Sequence, residues 1–323
     1  MFTDTYCRRR FMQLGFGSLG GLALNQLSAE GKPQHHQPKA RSVILCYMSG
    51  GVSHVDSFDP KPLLKEMHGK DMPGEVLRTQ FDNNGKIMQS PWQANKYGQS
   101  GLEMTDLFPH IAGCADDIAL VRSMTANFSE HAQGNFYMHT GFPFLGSPSA
   151  GAWVNYGLGS ANQNLPGYVV LNNKTGIPHG GKSIFGSGFL PATTGASFFN
   201  LDQEEVVSRV KPSRPLKEQR ASLEFLKQLD GTFAKRSAAE GNVQSAIKNY
   251  ETAFRMQSAL PELMDLDKEP AYLKRAYGFE HEDPLVAGYG HQCMVARRLV
   301  EQGVRFVELS CSNFNGDGQR ANP

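Results

Sequence analysis

The chain has 323 residues, 40% hydrophobic and 20% charged, with a net charge of +1. That balance belongs to an ordinary globular chain and excludes the basic footprint that nucleic-acid binding requires. Five cysteines, Cys7, Cys46, Cys114, Cys293 and Cys311, fall in no Cys-x-x-Cys or zinc-ribbon spacing, which excludes a structural zinc module of that kind.

The first element is an export signal. Cys7-Arg8-Arg9-Arg10-Phe11-Met12 is a twin-arginine run followed by large apolar residues. Leu14 to Leu24 is uncharged, apolar and Gly-rich, and Leu27-Ser28-Ala29 offers small residues for cleavage. A basic segment, an apolar segment and a small-residue site mark a secretory signal peptide. The arginine pair points to the Tat route, with the Tat export machinery as a transient partner. The apolar run is too short for a hydrocarbon core of about 30 Å, so no stable membrane span is expected. Residues 1–30 are expected to leave, with Cys7 among them, and the mature protein to be periplasmic or extracellular. Residues 31–40 form a polar linker, and the folded domain spans 41–323.

Ser42 to Met48 is a continuous apolar run that stops at Ser49-Gly50-Gly51. Such a run predicts a central parallel strand, and it predicts Cys46 as a buried free thiol. Leu107 to Ala115 predicts a short helix and Asp117 to Arg122 a second strand. His131 to Thr140 predicts a helix closed by Gly141. Another helix is predicted over Ala150 to Gly157, and a third strand over Gly167 to Leu171. Gly176 to Gly195, rich in Gly, Pro and Ser, predicts a long loop. From about Leu216 to Ala271 the chain turns charged and helical in period, a helical insertion. Gln292 to Gln302 predicts a helix, and Val304 to Leu309 a fourth strand. Strands alternating with helices define an α/β fold with a mostly parallel sheet.

Ligands of open α/β sheets bind at the carboxyl ends of the strands. Ser49, His54 and Asp56 follow the first strand, and His54 and Asp56 suit a divalent ion. In the segment Asn127 to Gly141, Ser129 is a candidate cap that would put Glu130 and His131 in the first helical turn. A helix start attracts anions, so a phosphate or sulfate suits this place, and a neutral His131 suits metal ligation. His139, two turns on, is expected to pack beside Tyr137. Arg122-Ser123 either supports an anion or pairs with Asp116. Gly176 to Ser183 fits the Walker A pattern letter for letter, but no strand feeds directly into Gly176 and Pro178 interrupts the loop, so nucleotide binding is not favoured.

These strings resemble a known family. Met48 to Pro62 is similar to the opening motif of the exported bacterial proteins called domain of unknown function 1501. Tyr97 to Leu102, Leu107 to His110, Met138 to Gly141, Gly151 to Ser160, Asn164 to Val170, Tyr250 to Gln257 and Ala296 to Val307 continue the similarity over nearly the whole chain. The resemblance implies an alkaline-phosphatase-like and sulfatase-like α/β fold with a divalent metal, zinc, calcium, magnesium or manganese. It places the first-strand metal ligand at Asp56 or His54. It places His131, with Ser129 two residues earlier, where that superfamily keeps a Ser, Thr or Cys nucleophile. The sulfatase signature Cys/Ser-x-Pro-x-Arg is absent from that region. Family members continue into Trp-Asp-x-His, Gly-Glu-Phe-Gly-Arg-Thr and Asp-His motifs, so the chain is expected to be C-terminally truncated.

The sequence therefore predicts an exported, metal-dependent hydrolase of sulfate or phosphate esters, on a small-molecule or polysaccharide substrate. The alternative is a non-catalytic exported binding or structural protein that keeps the fold. The expected site is Ser49, His54, Asp56 and His131 as metal ligands, with His131 and Ser129 as the catalytic candidates.

Overall fold

The computed structural model describes residues 39–48, 51–74, 84–128, 130–172, 177–207, 210–212, 214–234 and 240–311. The expected signal peptide, most of the linker, Ser49 and Ser129 lie outside these residues. The chain divides into a unit of residues 1–41 and a unit of residues 42–323, and every element named below belongs to the second.

Its elements in chain order are β1 (Val43–Tyr47), α1 (Pro62–Glu66), β2 (Ala94–Tyr97), β3 (Leu102–Thr105), α2 (Pro109–Ala112), α3 (His131–Thr140) and α4 (Ala150–Leu158). Then come β4 (Tyr168–Asn172), β5 (Ser197–Asn200), α5 (Leu216–Ala234), α6 (Glu240–Met264), α7 (Ala271–Ala276), α8 (Pro284–Glu301) and β6 (Phe306–Ser310). Four strands form one sheet in the order β1-β6-β4-β5, and every pair in it is parallel. The fold is therefore α/β, with a parallel sheet between helices.

The sheet orders itself by apolar content. In β4 and β6 four of five residues are buried, on both faces of the sheet, which is why β4 reads as an apolar run and β6 as one interrupted by Glu308. One face carries Val169, Leu171, Val307 and Leu309 against Leu260 and Leu263 of α6 and Met294, Val295 and Leu299 of α8. The other carries Tyr168, Val170 and Phe306 against Phe136 of α3, with Ile184 and Phe185. Each large side chain buried this way contributes about 1.5–3 kcal/mol. β1 is an edge strand, and Val43, Ile44 and Cys46 are exposed. Cys46 is thus not the buried thiol its apolar setting predicts, because at this position the face of β1 is open.

One predicted element comes out differently. Residues 117–122 do not form a strand. Residues 115–117 make a single 3-10 turn and the chain then runs unpaired. Val121 is 61% exposed, so the segment has no apolar face to lend a sheet. Arg122 does not pair with Asp116. It donates to the carbonyls of Phe58 and Glu103 and lies 3.5 Å from Asp59. Asp116 instead accepts from the amides of Gln99 and Ser100 in the β2–β3 hairpin turn. Gly98 has φ +64°, and a Cβ there would meet the Asp116 carboxylate at 2.3 Å, so the turn needs glycine.

The 176–195 segment is a loop with internal order where it is described, with 3-10 turns at Gly181–Phe185 and Ala192–Thr194. Its Walker-like string does not lead into an α-helix, and Lys182 sits over the Phe198 ring at 5.0 Å. The charged stretch from Leu216 is helical as α5 and α6, joined across their surfaces by Lys227 and Glu251 at 2.7 Å. No helix among the described residues is long and apolar enough to cross a membrane.

Candidate functional site

The carboxyl ends of the strands are Tyr47, Ser310, Asn172 and Asn200. The amino end of α3 is tied to this edge by a hydrogen-bonded chain. The Tyr47 hydroxyl at the end of β1 donates to Asn135 Oδ1. Asn135 Nδ2 donates to the His179 carbonyl at 2.8 Å. One buried amide thus fixes a strand end, a helix and the 177–181 loop together.

His131 is the first residue of α3. Its ring meets the His179 ring edge-on, with centroids 5.4 Å apart and planes at 82°. Glu130 stands beside both. Its carboxyl lies below the usual range, held there by the amides of Ala132 and Gln133 and secondarily by the two histidines. Glu130, not Ser129, is the N-cap: its side chain accepts from the Gln133 amide at 3.0 Å. It takes the N–H groups that a phosphate or sulfate at this helix end would use. An oxyanion here must therefore be held by something other than bare helix amides.

A pH dependence follows. A carboxyl with a depressed folded-state pKa stabilises the fold above its unfolded pKa, and that contribution is lost as pH falls through the folded value. The amides of Ala132 and Gln133 are expected to lose hydrogen-exchange protection below the ordinary carboxylate range. The Glu130→Gln variant should show this loss already at neutral pH.

The turn after β1 is held to the β2–β3 hairpin. Ser53 Oγ donates to Asp56 Oδ2 at 2.6 Å, and Thr105 Oγ1 donates to the Asp56 carbonyl at 2.6 Å. The His54 carbonyl accepts from the amides of Ser57 and Asp59. Asp59 is held below the usual carboxylate range mainly by its hydrogen bond to Lys61, with smaller contributions from Arg122 and His54. The structure thus brings His131 to His179 and Glu130, Asp56 to Ser53, and His54 to the side of Asp59. Among the described residues no three His, Cys, Asp or Glu side chains are gathered as metal ligands.

A second polar cluster lies beneath α3 on the sheet. His139 Nε2 lies 2.6 Å from Glu308 Oε1, both side chains 1% exposed. His139 Nδ1 lies 2.7 Å from the Asn135 carbonyl, which only accepts, so Nδ1 carries a proton. The Tyr168 hydroxyl donates to Glu308 Oε2 at 3.2 Å. Burial, then the charge on Glu308, pushes Tyr168 far above the usual phenol range and Tyr47 up to about 12. The His139 ring sits edge-on to Tyr47 at 4.6 Å and to Phe185 at 5.3 Å.

Sequence reasoning missed Glu308, His179 and Asn135. Glu308 had a signal, as the charged residue inside the apolar strand Val304 to Leu309. His179 and Asn135 had none, since their roles depend on a loop and a helix meeting at the strand edge.

No curated protein and no solved structure matches the chain. A family model matches residues 40–317, covering both sheets and all the helices described above, and on that match the chain belongs to the family described as Protein of unknown function (DUF1501).

Proposed function

We propose that this chain is an exported, metal-dependent hydrolase of sulfate or phosphate esters, with His131 and His179 as the imidazole pair that holds a divalent ion. The carrying observation is the 5.4 Å, near-perpendicular contact of the two rings at the carboxyl edge of a parallel sheet. Two imidazoles on one tetrahedral zinc, with Zn–N near 2.0 Å, place their ring centroids about 5 Å apart. The donor set favours zinc over calcium or magnesium, which prefer oxygen. Asp56, His54 and Ser49, around the turn after β1, are the further ligands of the proposal. A bound cation would supply the positive charge for an ester oxyanion that Glu130 denies to the helix amides. Asn135 would orient the site by fixing the His179 backbone.

The test is calorimetric titration of the exported protein with zinc, calcium, magnesium and manganese, followed by assay on 4-nitrophenyl sulfate and phosphate. Zinc is expected to bind stoichiometrically. His131→Ala and His179→Ala should each weaken it by at least the ~10–100-fold that loss of an outer-shell partner costs. Undiminished binding in both variants would overturn the site. Replacing Arg8 and Arg9 with Lys should retain the precursor inside the cell, and continued export would overturn the Tat reading. A second reading is a non-catalytic exported binding protein. It is favoured by His131, which cannot serve as the hydroxyl or thiol nucleophile that the resemblance implies for its position. Zinc bound without turnover would select it.

A further inference from the structure

Residues 131–173 contain no Asp, Glu, Lys or Arg, and neither do residues 183–201. Helix α4 and the turns that hold it come from these two stretches. One face of α4 is packed: Gly151 lies against the Tyr168 ring, and Asn155 Nδ2 donates to the carbonyls of Thr193 and Thr194 at 3.3 Å. The opposite face is just as uncharged, but open. Trp153 is 47% and Tyr156 56% exposed, and at three residues apart they share one side of the helix. Phe189 joins them, 65% exposed. A helix with no charged face has no side of its own that favours water.

The Trp153 ring meets Tyr156 with centroids 6.2 Å apart and planes at 80°, and Phe189 at 5.8 Å and 73°. The indole thus touches two rings, each nearly perpendicular to it. The backbone sets Phe189 in place. Gly188, at φ +53°, packs so closely on residues 146–148 that a Cβ would meet the Pro148 nitrogen and the Ser147 carbonyl carbon at 2.5 Å. Ser149 caps α4 and donates its hydroxyl to the Gly186 carbonyl at 3.2 Å. The three rings are therefore held before any ligand arrives, partly by the same loop that carries His179.

We propose that Trp153, Tyr156 and Phe189 form a carbohydrate-binding platform, with a neutral pyranose chain as its ligand. The C–H bonds on a pyranose face carry partial positive charge, and they complement the negative face of an aromatic ring. Two stretches without a formal charge match a ligand without one. Size argues against a second copy of the chain. Three rings at about half exposure offer roughly 300 Å², whereas a stable dimer buries about 800 Å² on each partner. Charge argues against a lipid surface, which is met by Lys and Arg beside the apolar residues, and the two stretches supply none. The platform deepens the ester-hydrolase reading, and rests on it for the ester alone. The substrate class becomes a polysaccharide whose neutral rings lie on the platform and whose ester is the group cleaved.

The chain has two tryptophans, so Trp92→Phe leaves Trp153 as the only indole. The full chain carrying that substitution, without added metal, is titrated with cellohexaose, laminarihexaose, mannohexaose and xylohexaose while indole emission is followed. A saturable change at millimolar sugar is expected with at least one of them. Tyr156→Ala and Phe189→Ala should each weaken that binding by ~2–10-fold, the worth of one aromatic contact. The melting temperature should barely move, because both rings are largely exposed. Emission that responds to none of the four sugars would overturn the platform. So would a response to phosphatidylcholine vesicles in place of sugar, or a dimer that Trp153→Ala dissolves. Sugar binding that persists while zinc binding fails would remove the hydrolase and keep the platform. Zinc binding with ester turnover but no sugar binding would do the reverse.

Discussion

Truncating Glu308 to alanine is expected to destabilise the fold by about 3–5 kcal/mol, the range for breaking a buried ion pair from one side. In a domain of this size that corresponds to a melting-temperature drop of roughly 10 °C. The cause is what the truncation strands. His139 keeps its bond to the Asn135 carbonyl, but Nε2 loses its partner inside the core, and the Tyr168 hydroxyl loses its acceptor. A buried polar group left unsatisfied costs about 1–3 kcal/mol, and more when charged. Glu308→Gln should be far milder. Its amide donates to a neutral Nε2 and its carbonyl still accepts from Tyr168, leaving a loss of about 1 kcal/mol. The paired replacement His139→Leu with Glu308→Leu should recover part of the alanine loss, because it leaves the Tyr168 hydroxyl without its acceptor but strands no imidazole. Thermal denaturation of the four proteins decides it. A Glu308→Ala melting point within about 2 °C of the parent, less than ~1 kcal/mol, would mean that His139 finds another partner.

The network also explains how far the sequence carries. β4 and β6 are legible because a strand buried on both faces has to be largely apolar, and local composition records that, whereas β1 is apolar in sequence although it is an exposed edge strand. The end of α3 is legible because Gly141 adopts φ +72°, a conformation that glycine takes without strain. Residues 117–122 mislead by the same logic: Ile118, Ala119, Leu120 and Val121 look like a strand, but apolar content does not specify a partner. β5 and the β2–β3 hairpin go unseen because each strand has only four residues, too few for a period to show. The site fails for a further reason. His139 and Glu308 are 169 residues apart, and Tyr47 and Asn135 are 88 apart. Such pairs exist only once the sheet has chosen the order β1-β6-β4-β5, and no local window contains them.

Gly151→Ala is expected to cost about 2–4 kcal/mol, the sum of an overpacked core and a weakened buried hydrogen bond. α4 crosses β4 closely enough that a Cβ on residue 151 would lie 2.6–2.7 Å from three atoms of the Tyr168 ring. That ring is fully buried and has nowhere to retreat. Phe306 stands edge-on to it at 5.3 Å, and its hydroxyl is held by Glu308. Either α4 lifts away from the sheet or the ring tilts and lengthens the bond to Glu308. Tyr168→Phe alone removes only the hydroxyl and should cost about 1 kcal/mol. Because the phenylalanine ring fills the same space, adding it to Gly151→Ala should not relieve the clash. Tyr168→Leu should relieve it, so that Gly151→Ala costs less in that background than in the parent. Denaturant unfolding of the single and double variants reads the coupling directly. If Gly151→Ala is as costly in the Tyr168→Leu background as in the parent, the ring is not what the glycine accommodates.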